Sequence, residues 1–206
     1  GIPLGDPLAA LELIATTEPT PIDLGRVGDR YFLNVASGGF VTEVTTATPE
    51  GMKKLLGGVA YLLTGLVSLG SIEAKPVRLR GPRLSWAGNL YVLAVGNARQ
   101  AGGGFRVCDR AVLDDGLLDV LVIPEVPFDQ VLGLLGDLMT GTPPPESEHV
   151  RYDRVPWLQV EAPDGMTFNL DGEPLAGQSF RFDALTRQVP FFLRPQVPLA
   201  GRRPAS

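Results

Sequence analysis

The sequence predicts a mainly β protein of the α+β kind: an antiparallel β-sandwich with two or three helices packed outside it. Three observations carry that prediction. Glycine (25) and proline (19) are plentiful among the 206 residues, which suits short strands joined by tight turns. Short apolar or alternating runs outnumber helical patterns, and strands are not regularly interleaved with helices as a parallel sheet would require. Hydrophobic residues make up 44% of the chain, enough for a sizeable core.

Each element has its own signal. Asp6 is placed to cap a short helix running to Ile14. Pro21 to Val27 and Tyr31 to Ala36 read as strands around a Gly28-Asp29 turn, with Ser37-Gly38-Gly39 breaking the second. Thr48-Pro49-Glu50 opens the longest helical pattern, with proline suited to the first helical position. Its apolar residues Met52, Leu55, Leu56, Val59, Leu62, Leu63, Leu66 and Val67 recur at spacings of three and four. The apolar stretch Leu55 to Leu69 carries several glycines and polar residues and is shorter than the roughly 20 residues of a membrane-spanning helix. It reads as a buried or groove-lining helix.

Beyond Gly70 the period changes to two. Val77 and Leu79 alternate with Arg78 and Arg80, the pattern of a half-buried strand. Leu90 to Val95 is a more apolar strand, Gly96 to Gly104 a glycine-rich loop, and Leu117 to Ile123 another strand. Phe128 to Met139 reads as a second helix, followed by an exposed proline-rich loop from Gly141 to Glu148. Four short strands complete the chain: Trp157 to Glu161, Met166 to Leu170, Ser179 to Asp183 and Val189 to Leu193. Asp171-Gly172 between two of them is a strong hairpin signal.

Composition also excludes functions. A net charge of −5 argues against a nucleic-acid partner, whose phosphates need a basic face. Cys108 is the only cysteine, so no intrachain disulfide forms, and a reducing compartment is expected. His149 is the only histidine, which leaves little for a His-based zinc site or a Ser-His-Asp triad.

Three segments hold residues suited to chemistry. Asn97 to Gly104 ends in Gly102-Gly103-Gly104, and consecutive glycines let backbone N–H groups approach an anion closely. The spacing fits neither a Walker A loop nor G-x-G-x-x-G, so a structural turn stays open beside a substrate or phosphate loop. Val112 to Asp119 places Asp114 and Asp115 beside Gly116, oxygen donors that suit a hard cation or simply an acidic turn entering a strand. Asn169 to Leu175 puts Asp171 and Glu173 around Gly172 at a hairpin tip. A carboxylate held there could take a proton from a hydroxyl, or be a solvated turn residue.

Taken together and in order, Asn97 to Phe105, Ala111 to Val120 and Asn169 to Leu175 resemble the signature blocks of the diacylglycerol kinase catalytic family, most closely its YegS-type bacterial lipid kinases. Asn34 to Phe40, followed by Thr45, Thr46, Thr48 and Pro49, resembles an earlier block, and the resemblance runs from Gly1 to about Leu193. It implies the second domain of the NAD kinase/diacylglycerol kinase-like fold. The family's amino-terminal nucleotide-binding domain, with its Gly-Gly-Asp-Gly-Thr motif, is absent from these residues, so residues 1–206 are expected to be one lipid-facing domain.

Residue by residue, the resemblance implies that Glu173 is the general base, with Asp171 in support. It implies magnesium, or calcium in its place, on the Asp115 carboxylate and the backbone oxygens of Val112 and Leu117. The full-length protein is then expected to phosphorylate a hydroxyl of a glycerolipid, diacylglycerol or phosphatidylglycerol-like, using ATP held mainly by the other domain. Expected partners are the lipid and ATP, and the expected location is cytoplasmic, with peripheral contact at the inner membrane surface. Rival readings are a non-catalytic lipid-binding module and a kinase of a soluble nucleotide such as NAD.

Overall fold

The computed structural model describes residues 5–39, 73–101, 106–127, 130 and 149–194. The expected helices from Thr48 onward and over Phe128 to Met139 lie outside the described residues. Among the described residues, helix α1 (Pro7–Thr16) is followed by nine strands: β1 (Thr20–Val27), β2 (Arg30–Phe32), β3 (Val35–Gly39), β4 (Lys75–Arg80), β5 (Ser85–Gly96), β6 (Leu118–Pro124), β7 (Arg151–Val155), β8 (Trp157–Leu170) and β9 (Glu173–Phe191). Asp6 caps α1 as the sequence predicts, its carboxylate accepting the Ala9 N–H at 3.0 Å.

The strands form one antiparallel sheet in the order β2-β1-β9-β8-β3-β5-β6-β7. β4 also lies between β8 and β5, so β3 and β4 occupy opposite ends of a single slot. Only Pro156 separates β7, at one sheet edge, from β8 in the middle. That connection is possible only because the sheet curls over, forming the two faces of a sandwich. The enclosed core contains Phe168, stacked edge-on against Phe180 and Phe182 at centroid distances of 4.8 and 5.0 Å. Truncating Phe168 to alanine is expected to cost about 3–5 kcal/mol.

β5 from Leu90 onward and β6 are buried on both faces. Leu93, Val95, Val120 and Val122 enter the enclosed core, whereas Val92, Ala94, Leu121 and Ile123 enter a second cluster with Cys108, Ala111 and Val150. Double burial explains why these strands read as continuous apolar runs and not as alternating ones.

Several boundaries differ from the sequence expectation. Tyr31 to Ala36 is two strands, bent at Leu33-Asn34. Ser37-Gly38-Gly39 does not break β3. A Cβ on Gly38 would sit 2.7 Å from the Phe168 ring, so this glycine makes room for the core. The last four expected strands merge into β8 and β9, with irregularities in register between Glu161 and Met166 and opposite Asp23. β7, a polar edge strand, carried no sequence signal strong enough to be expected.

Candidate functional site

The β8–β9 hairpin turns at Asp171 (φ 50°) and Gly172 (φ 113°), and the Asn169 side-chain oxygen accepts the Gly172 N–H at 2.6 Å. Asparagine and aspartate tolerate this left-handed backbone because their short polar side chains bond locally. The Asp171 carboxylate accepts three successive backbone N–H groups, from Leu33 at 2.6 Å and from Asn34 and Val35 at 3.0 Å each. It fastens the hairpin tip to the β2–β3 bend. Glu173 opens β9, directly across from Leu170, and is exposed. Among the described residues none donates a hydrogen bond to its carboxylate.

Asn97 follows the end of β5 and is 1% exposed. Its amide donates to the carbonyls of Asp23 at 3.0 Å and Leu33 at 2.9 Å, tying β1 and the β2–β3 bend to β5. The N–H groups of Asn97 and Ala98 both donate to the Asn34 carbonyl. Of the glycine-rich loop, Gly102, Gly103 and Gly104 lie outside the described residues.

The loop from Val112 to Leu117 is held from three directions. Asp23 of β1, fully buried, accepts the Gly116 N–H at 2.6 Å and donates its own N–H to the Leu113 carbonyl at 2.6 Å. Its other carboxylate oxygen accepts the Arg187 N–H at 2.8 Å, which pins the β9 bulge. Gly116 adopts φ 73°, and a Cβ there would meet Thr186 at 2.9 Å, so both backbone and space call for glycine. Asp115 accepts the Leu117 N–H at 3.1 Å and the Arg154 guanidinium of β7. Arg154 also reaches fully buried Asp119, at 3.4 Å, and the Tyr152 hydroxyl donates to Asp119 at 2.5 Å.

Two carboxylates thus share one guanidinium, with the Asp23 carboxylate bonded to the same loop. Burial pushes the Asp115 carboxyl up despite the opposing Arg154 charge, and the Asp23 charge adds to the rise. Burial also raises Asp119, against the Tyr152 hydrogen bond and Arg154. Excess buried negative charge beside an all-oxygen donor loop fits a hard divalent cation. Among the described residues no three acidic, histidine or cysteine side chains converge on one point. The groups here that could hold such an ion are those the resemblance implied, the Asp115 carboxylate and the Val112 and Leu117 carbonyls.

A cleft of about 360 Å³ lies where these pieces meet. Its lining includes apolar Ile22, Leu33, Leu113 and Phe191 and polar Asn34, Gln100, Arg99 and Arg106. Leu113 belongs to the acidic loop, and Leu33 and Asn34 are bonded by Asp171. Three sequence blocks far apart in the chain therefore share one end of the sheet. Sequence reasoning missed Asp23, Arg154, Arg99 and Arg106. A lone acid between apolar Ile22 and Leu24 in a strand was the available signal for Asp23.

Residues 34–194 match the family model described as the YegS C-terminal NAD kinase beta sandwich-like domain. A Pseudomonas aeruginosa protein named "Probable lipid kinase YegS-like" is 48% identical over 99% of this chain, and a Xanthomonas oryzae protein of the same name is 46% identical over 95%. This chain spans 66% and 65% of their respective lengths. A crystal structure of a Bacillus anthracis diacylglycerol kinase superimposes with a TM-score of 0.69 at 18% identity, covering 96% of this chain and 62% of that one, which shows a shared fold. By its family match and its close relatives, the chain belongs to the YegS C-terminal β-sandwich-like domain family.

Proposed function

We propose that this domain serves an ATP-dependent kinase that phosphorylates a hydroxyl of a glycerolipid, diacylglycerol or phosphatidylglycerol-like. The observation that carries the reading is the gathering of the Asp171–Glu173 hairpin, the Asp115 loop and the segment after β5 at one end of the sheet, beside a cleft lined by both apolar residues and arginines. The names of the close relatives give the reaction class. The activity is proposed for a protein in which this domain stands beside a nucleotide-binding one.

Glu173 is the proposed general base. Its exposed carboxylate, on a hairpin fixed by Asp171, would take the proton of the lipid hydroxyl as that oxygen attacks the γ-phosphoryl group. Asp171 positions the tip and stays bound to backbone. Magnesium, or calcium in its place, would be held by Asp115 and the Val112 and Leu117 carbonyls, and would supply positive charge against the phosphates. The apolar residues of the cleft would receive the lipid body. No helix among the described residues is long and apolar enough to cross a membrane. We place the enzyme in the cytoplasm, touching the inner membrane surface to reach its substrate.

The test is a panel of lipids and NAD offered to the full-length protein with labelled ATP and magnesium. Label is expected in a glycerolipid. Label in NAD, or in no lipid at all, refutes the reading.

A further inference from the structure

Arg154 of β7 is the direct cross-strand partner of Asp119 on β6, so both side chains stand on one face of the sheet. Its guanidinium spans two carboxylates, through Nε to Asp119 at 3.4 Å and through Nη2 to Asp115. One Asp115 oxygen accepts the Leu117 N–H, and Arg154 holds the other. The oxygen left free by the backbone is therefore already covered by a cation.

We infer that Arg154 is a built-in competitor of the divalent cation: the ion gains Asp115 only as the guanidinium leaves it and stays on Asp119. The inference rests on the reading that the ion takes Asp115 as a ligand. Charge is the first reason. A guanidinium and a divalent ion on one partly buried carboxylate repel each other, with little water between them to screen the effect. Geometry is the second. Asp119 is fully buried and needs a positive partner in either state. The guanidinium fork carries five N–H donors, so it can release Asp115 and keep Asp119. Room to move is the third. β7 is an edge strand and the Arg154 side chain is 34% exposed. The arrangement lowers the ion affinity of the loop and couples ion binding to the position of one side chain on a neighbouring strand.

A purely structural ion pair makes the opposite forecast: losing the guanidinium loosens the loop and weakens ion binding. Manganese(II) binding to the 206-residue chain, followed by the loss of the free-ion EPR signal, separates the two. Arg154→Gln is expected to bind at least about tenfold tighter than the parent, because a unit positive charge beside the ion is gone. Arg154→Lys keeps the charge and is expected to stay near the parent, and Asp115→Asn to lose binding. Equal or weaker binding by Arg154→Gln, with parent and Asp115→Asn behaving as stated, overturns the competitor and leaves the metal reading standing. If neither the parent nor Arg154→Gln binds manganese, the metal reading falls and takes the competitor with it. Should Arg154→Gln melt, NMR of the parent decides. The Arg154 Nε–H resonance must move when magnesium is added and stay fixed in Asp115→Asn. A resonance unmoved in the parent overturns the inference.

Discussion

The turn at Asp115–Gly116 and the turn at Asp171–Gly172 share a design, an aspartate followed by a glycine at positive φ, yet their carboxylates are used in opposite ways. Asp115 is mostly buried and held by a guanidinium from another strand. Asp171 is exposed and closes on three backbone N–H groups, which leaves Glu173 beside it as a carboxylate facing solvent. Burial makes the difference. A buried carboxylate must find a counter-charge or take up a proton, whereas an exposed one is at liberty to organise backbone. The first turn stores charge, and the second fixes geometry.

The largest expected effect tests the second turn. Glu173→Gln in the full-length enzyme should lower kcat by about 10²–10⁴ while leaving KM and melting temperature nearly unchanged. Near-normal turnover would make Glu173 a plain turn residue and end the contrast. Next comes the counter-ion of the first turn. Arg154→Met leaves fully buried Asp119 with the Tyr152 hydroxyl alone. Because Arg154 is a third exposed, the cost should be roughly 2–3 kcal/mol, below that of breaking a fully buried pair. Urea denaturation measures it, and a loss under about 0.5 kcal/mol would place the cluster with ordinary surface pairs.

Asp171→Ala should cost about 1–2 kcal/mol by stranding N–H groups at the β2–β3 bend, and Asp171→Asn, which keeps one acceptor oxygen, should cost less. Equal losses would mean that charge, and not acceptor geometry, fixes the hairpin.

A smaller effect comes from Asp183. Burial works to raise its carboxyl, but hydrogen bonds from Arg181 and Arg26 outweigh this and hold it below the usual carboxylate range. Its contribution is therefore present above the unfolded-state value and fades as pH falls through the lowered one. Asp115 and Asp119, both raised, have the opposite sign: they favour folding in acid and lose that contribution as pH rises through their raised values. Asp183→Asn should cost about 0.5–1 kcal/mol at neutral pH and converge with the parent in acid. A difference that persists in acid would contradict the assignment.

The turn residues were legible because their chemistry is local. Asp6 before Pro7, and Asp171-Gly172 between apolar runs, name their structures within a few residues. The blocks around Asp115 and Glu173 were likewise visible as strings. What holds them was not. Asp23 reaches Gly116 across 93 residues, and Asp171 reaches Leu33 across 138. Arg154 sits in Arg151-Tyr152-Asp153-Arg154, whose polarity reads as loop, and only the pairing of β7 with β6 brings it to Asp119. Distant pairing of this kind leaves no periodicity to read.

The same long-range pairing bears on how the chain is made. Thr20 of β1 lies opposite Phe191 of β9, so β1, which pairs locally only with β2, waits for β9 before its longer ladder exists. Until Glu173–Phe191 has left the ribosome, β1 and β8 both present open edges on a nascent polypeptide. Such topology slows folding and leaves strands open to aggregation in the meantime. Translation speed and chaperone supply over that interval should therefore govern the yield of native domain more than its final stability does.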